Sequence, residues 1–198
     1  QTMALAAESA GAPRGLISCL QQISLQGTQE LMTHRDIAII LATGGTQMVR
    51  AAHSTGKPAY GVGPGNVPVY VDRSADLEKA ARYIVESKAF DYSTICATEQ
   101  AVISDMPIAT KLAEMMRMEG AYFTAPHETD ALRRTVFHPG GVINTAVVGK
   151  SAPFVAEAAG FRVPASTRIL VCPLTMIGRE EPLSHEKMTT VLGWYQAE

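Results

Sequence analysis

Cysteine is scarce in this chain. Cys19, Cys96 and Cys172 are an odd set of three, and none stands at a metal-ligand spacing from another. That leaves no metal-ligand set and suits free thiols in a reducing cytoplasm. Basic blocks are missing too. Charged residues make up 18% of the 198 and the formal net charge is -2, so nothing in the chain favours nucleic acid. No apolar run reaches the length of a membrane span, and no cationic stretch followed by an apolar one opens the chain. Internal repeats and low-complexity stretches are absent. So is any acidic residue between Asp36 and Asp72, which removes a carboxylate base from that whole region. What is present is a globular balance, 46% hydrophobic, in a chain long enough to bury a core.

Residues 1–10 have helical character, with Gly11 a left-handed terminator and Pro13 a block to continuation. Leu16-Ile17 has the apolar character of a strand start. Ile37-Ala38-Ile39-Ile40-Leu41 has the character of a short strand buried on both faces. Gly44-Gly45 follow, and Thr46 opens a helix with Met48, Val49 and Ala52 on its apolar side. Strand, glycine turn, helix is the layout that presents free N–H groups to a phosphate. Val67–Val71 forms a further strand with Pro68 near its start. Ser74 is the expected N-cap of a helix carrying Leu77, Ala80, Ala81, Ile84 and Val85. Pro107 opens another helix, with Ile108, Leu112, Met115 and Met116 as core filler. Phe154–Ala159 predicts a helix ending at Gly160, and Arg168–Val171 a strand. In the tail Met188, Val191, Leu192 and Tyr195 have helical spacing, yet both helix and strand stay open there. Strands alternating with helices predict an α/β chain with largely parallel sheets, divided near Val71 into residues 1–71 and 72–198.

Two segments carry the chemistry. Cys96 lies in Phe90-Asp91-Tyr92-Ser93-Thr94-Ile95-Cys96-Ala97-Thr98-Glu99-Gln100, between a helical pattern and the apolar run Ala101-Val102-Ile103. A cysteine at such a junction is either a small buried hydrophobe or a nucleophile facing a cleft. Upstream stands Gly61-Val62-Gly63-Pro64-Gly65-Asn66-Val67-Pro68, whose Gly63 and Gly65 form a tight turn, a close backbone approach to a ligand, or both.

With Ala42-Thr43-Gly44-Gly45 and His185-Glu186-Lys187, these segments resemble the CoA-acylating branch of the aldehyde dehydrogenase superfamily. That branch holds acetaldehyde and propionaldehyde dehydrogenases and the aldehyde dehydrogenase half of bifunctional aldehyde-alcohol dehydrogenases. The four motifs fall in order across essentially the whole chain; Thr98, where the branch usually has serine, is a mild departure. The resemblance implies the later part of a Rossmann-like dinucleotide-binding domain followed by part of an α/β catalytic domain. The sequence is accordingly expected to be an internal piece of a longer enzyme, inert as a dehydrogenase by itself.

The resemblance also implies roles. Cys96 is the nucleophile that takes the aldehyde through a thiohemiacetal to a thioester, with NAD or NADP as cofactor. Hydrolytic relatives carry a water-activating glutamate where this chain has Val62, so the acyl group is expected to leave to coenzyme A. Thr43, Gly44, Gly45, Gly63, Gly65 and Glu186 are the implied cofactor-binding residues. Glu186 would hold the nicotinamide ribose, or else belong to a solvated charge cluster with Glu180 and Glu181. His185 is a general base for the CoA thiol or a positioning residue. The other histidines, Cys19 and Cys172 are structural or surface residues, Glu99 has no assigned role, and no metal is expected. Partners are a small aldehyde and CoA, in a homo-oligomer in the cytoplasm or inside a bacterial microcompartment. The alternatives are a hydrolytic aldehyde dehydrogenase releasing a free acid and a non-catalytic piece of the fold.

Overall fold

A computed structural model describes residues 1–198, which divide into two compact units, Gln1–Gly63 and Pro64–Glu198. In the first unit, α1 (Thr2–Ser9) ends as the chain reverses at Gly11, which takes φ +93°. The Ser24 hydroxyl caps α2 (Leu25–Thr33) by accepting from the Gly27 N–H at 2.9 Å. Strand β1 (Ile40–Thr43), helix α3 (Thr46–His53) and strand β2 (Ala59–Val62) follow, with β1 and β2 paired in parallel. Ile40, Ala42 and Ala52 are buried together. The helix lies so close to β2 that a Cβ on Gly61 would come within 2.4 Å of Val49 Cγ1.

Two expectations fail in this unit. Leu16 and Ile17 form no strand and are exposed. The apolar run at 37–41 is not buried on both faces: the strand starts only at Ile40, and Leu41 is 77% exposed. Helix α3 packs on one face of the pair, so alternate side chains on the other stay uncovered.

The second unit is a three-layer sandwich. Its strands are β3 (Pro68–Val71), β4 (Ala101–Asp105), β5 (Ala121–Phe123), β8 (Ile169–Pro173) and β9 (Val191–Ala197), set in the order β3-β4-β9-β8-β5 and all parallel. Helices α4 (Leu77–Ala89) and α5 (Met106–Met118) cover one face, with Ile84, Val85, Leu112 and Met116 against Val102, Ile169, Val171, Leu192 and Trp194. Helices α6 (Pro126–Val136) and α7 (Ala152–Ala158) cover the other, with Leu132, Val136, Val155 and Ala156 against Leu170, Cys172 and Val191. A short antiparallel hairpin, β6 (Phe137–His138) and β7 (Val142–Ile143), joins α6 to α7. Successive residues of β8 enter opposite cores, as the two-residue period of a strand requires.

The expected division at Val71 falls one strand later than the observed one. Pro68–Val71 pairs with Ala101–Ser104 and so belongs to the second unit's sheet. Ser74 does not cap α4. Its hydroxyl is taken by Asp72 at 2.5 Å, and the Asp76 carboxylate accepts the Lys79 N–H instead. The tail, despite its helical spacing, is strand β9 between β4 and β8. The helices opened by Thr46 and Pro107 and the one ending before Gly160 stand where expected.

Candidate active site

The three segments that lead into β3, β4 and β9 carry Gly65–Asn66, Cys96 and His185–Glu186 respectively. Because those strands are parallel and adjacent, in the order β3-β4-β9, the segments emerge side by side at one edge of the sheet. Sheet topology thus collects residues that lie 120 positions apart in the sequence.

Cys96 is exposed on the turn between α4 and β4. The turn is reached through Asp91, Tyr92 and Ser93, three consecutive residues at φ +47°, +49° and +65°. Non-glycine residues rarely occupy this region, and such backbone persists only where its surroundings over-determine it. Here Ser93 is fully buried and its hydroxyl meets that of Thr98 at 2.9 Å, while Thr98 donates to the Ile95 carbonyl at 2.9 Å. Thr98 supplies the hydroxyl that serine usually supplies in the resembled branch. Beside the turn lies a mainly apolar cleft of about 330 Å³ lined by Glu86, Ser87, Phe90, Ile95, Ala97 and Thr98.

Gly65 lies against this turn: a Cβ there would approach the Cys96 carbonyl oxygen to 3.4 Å. The expected tight turn at Gly63–Gly65 is not formed. Both glycines avoid positive φ, the stretch is irregular, and Gly63 has open space where a Cβ would be. Gly65 packs its backbone against the Cys96 turn instead. Asn66 Nδ2 donates to the Ser184 carbonyl at 3.0 Å, tying the first segment to the third.

His185 is exposed, and its Nε2 lies 3.0 Å from the Gly178 carbonyl. A carbonyl only accepts, so Nε2 carries the proton and Nδ1 of the neutral ring is left as an acceptor. Glu186 is half-buried.

Sequence reasoning missed the groups beneath these residues. Gln100, 1% exposed, bonds to all three segments: its N–H donates to the Val67 carbonyl (2.8 Å), its Nε2 to the Thr98 carbonyl (3.2 Å), and its Oε1 accepts from the Lys187 N–H (3.2 Å). Lys88 and Lys187 are fully buried beside it. Lys88 Nζ donates to Gln100 Oε1 at 3.3 Å, and burial together with the neighbouring Lys187 charge holds it well below the usual lysine range. Burial also pushes Lys187 down to about 7. One oxygen of Glu99 is buried without a hydrogen-bond partner, close enough for its charge to favour the Lys88 ammonium. Among lysines scattered through the chain, only the phrases around Cys96 and His185 marked this pair.

Thr43, Gly44 and Gly45 stand in the first unit, at the end of β1 and the start of α3. Gly45 is the N-cap and offers no side chain, so the first N–H groups of α3 keep their capacity for an anion. A dinucleotide's phosphates fit this strand–glycine–helix layout. Val62 closes β2, 59% exposed. His34, His53, His127 and His138 are exposed, as is Cys19, whereas Cys172 is buried.

Residues 1–147 match the profile of the aldehyde dehydrogenase family. The chain is 43% identical over its whole length to the aldehyde-alcohol dehydrogenase of Clostridium acetobutylicum, of which it spans 23%. It is similar to an acetylating aldehyde dehydrogenase from Geobacillus thermoglucosidasius, at 46% identity and a TM-score of 0.94 over 98% of this chain and 43% of that one. It also matches a propionaldehyde dehydrogenase from Rhodopseudomonas palustris with bound propionyl-CoA, at 34% identity and a TM-score of 0.88 over 99% of this chain and 43% of that one.

Proposed function

The chain belongs to the aldehyde dehydrogenase family, and we propose that it carries the nucleophile and part of the cofactor site of an NAD(P)-dependent, CoA-acylating aldehyde dehydrogenase. The reaction is aldehyde, CoA and NAD(P)+ to acyl-CoA and NAD(P)H. The observation that carries this reading is the convergence of Cys96, Gly65 and the His185–Glu186 loop at one edge of the sheet.

The Cys96 thiolate adds to the aldehyde carbonyl carbon, forming a C–S bond and an oxyanion. Collapse of the oxyanion expels the hydrogen as hydride and leaves a thioester on Cys96. Bound NAD or NADP supplies the hydride acceptor. In the first unit, Thr43 and the N–H groups of Gly45 and the start of α3 would hold its phosphates, whereas the Gly44 N–H is already taken by the Val62 carbonyl at 3.1 Å. Gly63 would face the nicotinamide there; in the second unit Gly65 would do so, and Glu186 would take the ribose hydroxyls.

Release follows from what the chain lacks. Val62 cannot deprotonate water, so the thioester waits for a thiol. His185 Nδ1, left free by the Nε2–Gly178 bond, takes the CoA thiol proton. The CoA sulfur then attacks the thioester carbon, the bond to Cys96 breaks, and the Cys96 thiolate is restored. The partners are therefore a small aldehyde and CoA. A homo-oligomer in the cytoplasm, free or enclosed in a microcompartment, accords with the resembled branch; no helix is long and apolar enough to cross a membrane.

Cys96→Ala tests the assignment. In the full-length protein it should abolish NAD(P)H production and leave cofactor binding in place, while Cys19→Ala and Cys172→Ala keep turnover. Retained turnover in Cys96→Ala removes the nucleophile from this account.

A further inference from the structure

Lys187 is fully buried, yet none of the roles above uses it. Its Nζ donates to three carbonyl oxygens: Gln100 at 2.9 Å, Leu183 at 2.7 Å and His185 at 2.8 Å. In its protonated form Nζ has three N–H donors and no acceptor, so every one is engaged. Two of the acceptors, Leu183 and His185, lead into and belong to the His185–Glu186 loop. The third belongs to Gln100, which closes the Cys96 turn immediately before β4.

We propose that Lys187 is a positioning residue that clips the Cys96 turn to the His185–Glu186 loop and so sets the spacing between nucleophile and base. The inference rests on the reading of Cys96 as the nucleophile. Gln100 extends the clip: the carbonyl that takes the Lys187 ammonium also accepts the Gly193 N–H at 3.0 Å, and its side chain reaches Thr98 and the Lys187 backbone. Asn66, donating to Ser184, ties the Gly65 segment to the same loop.

Burying an ammonium costs desolvation, and the three carbonyls that accept its hydrogen bonds are what offset that cost. Burial disfavours the Lys187 charge, and Cys172 and Glu181 offset only part of that. A methionine would fill the space, but it offers nothing to three inward-facing carbonyls. Errors of about 1 Å in the placement of reacting groups cost on the order of 100-fold in rate.

The test compares Lys187→Met, closest in shape and uncharged, with Lys187→Arg, larger but charged. Both are made in the full-length protein beside Cys96→Ala. A clip predicts that Lys187→Met lowers kcat about 10- to 100-fold with KM for the aldehyde little changed, and that Lys187→Arg recovers part of that loss although it melts lower than Lys187→Met. It also predicts non-additivity: His185→Ala should cost less in the Lys187→Met background than alone. If both variants instead rank by melting temperature, Lys187 only fills space and the proposal fails. It fails too if Lys187→Met keeps kcat within about twofold while Cys96→Ala is inactive. Should Lys187→Met not fold, Lys187→Arg decides, with kcat reduced less than about 10-fold expected and a loss as complete as that of Cys96→Ala contradicting the clip. Turnover in Cys96→Ala would instead overturn the site reading itself, whatever Lys187 does.

Discussion

Three cysteines occupy three different environments, and the environments separate their chemistry. Cys172 sits on β8 inside the α6–α7 core, where burial pushes its thiol up to about 11 despite contacts with Thr124 and Thr129. Cys96 and Cys19 are exposed. At about pH 8, iodoacetamide should therefore label Cys96 and Cys19 well before Cys172, because the thiolate is the reacting form. Peptide mass spectrometry of a labelling time course reads this directly, and early modification of Cys172 in folded protein contradicts it. Cys96 was legible from its neighbours: Ile95–Gln100 is distinctive, and a turn before a strand exposes a side chain. The buried lysines were not legible, because a lysine in sequence normally marks solvent. What buries Lys187 is the arrival of β9 between β4 and β8, which no local pattern encodes. The left-handed run at Asp91–Ser93 was hidden likewise, since its residue types give no glycine signal.

At the scale of elements, hydrophobic period found the helices with one apolar stripe and failed where polar groups do the packing. Helix α6 buries Glu128 and Thr129 beside Leu132 and Val136, with Glu128 accepting from the Tyr122 hydroxyl at 3.0 Å and from the Ala125 N–H at 2.8 Å. A satisfied carboxylate on the buried face erases the expected stripe. Strand β9 was ambiguous for another reason. It is covered on both faces, so its apolar residues do not alternate and their spacing also fits a helix.

The junction of β3 and β4 rests on a polar group as well. The Asp105 carboxylate accepts from the Tyr70 hydroxyl and from Arg73 through its N–H at 3.0 Å and Nε at 2.8 Å. Those donors, Tyr70 first and then Arg73, hold its carboxyl below the usual aspartate range. The sign follows: a depressed folded-state value gives stability that is present above the unfolded-state value, about pH 4, and is lost as pH falls through the folded one. Asp105→Asn should be less stable than the parent at pH 7 and lose less on acidification between about pH 4 and pH 2. Denaturant melts across that range check this, and parallel curves for the two proteins would mean that Asp105 carries no such linkage.

On the scale of the whole molecule, the α/β class with its parallel sheet was readable; α2, β2, β5, α6 and the neighbours in the sheet were not. The division near Val71 missed by one strand because Pro68–Val71, a plausible last strand of one sheet, is the edge strand of the next. That displacement matters for function. It puts Gly65 and Asn66 with the nucleophile's unit and leaves Val62 and the Thr43–Gly45 turn in the other.

The central claim is that the acyl group waits on Cys96 for a thiol because Val62 supplies no base for water. The direct measurement is stopped-flow NAD(P)H formation by the full-length protein with saturating aldehyde and cofactor and no CoA. The account predicts a burst equal to the concentration of sites, then a stall, with steady turnover and acyl-CoA appearing once CoA is added. Steady turnover to the free acid without CoA would contradict it and make this chain part of a hydrolytic aldehyde dehydrogenase.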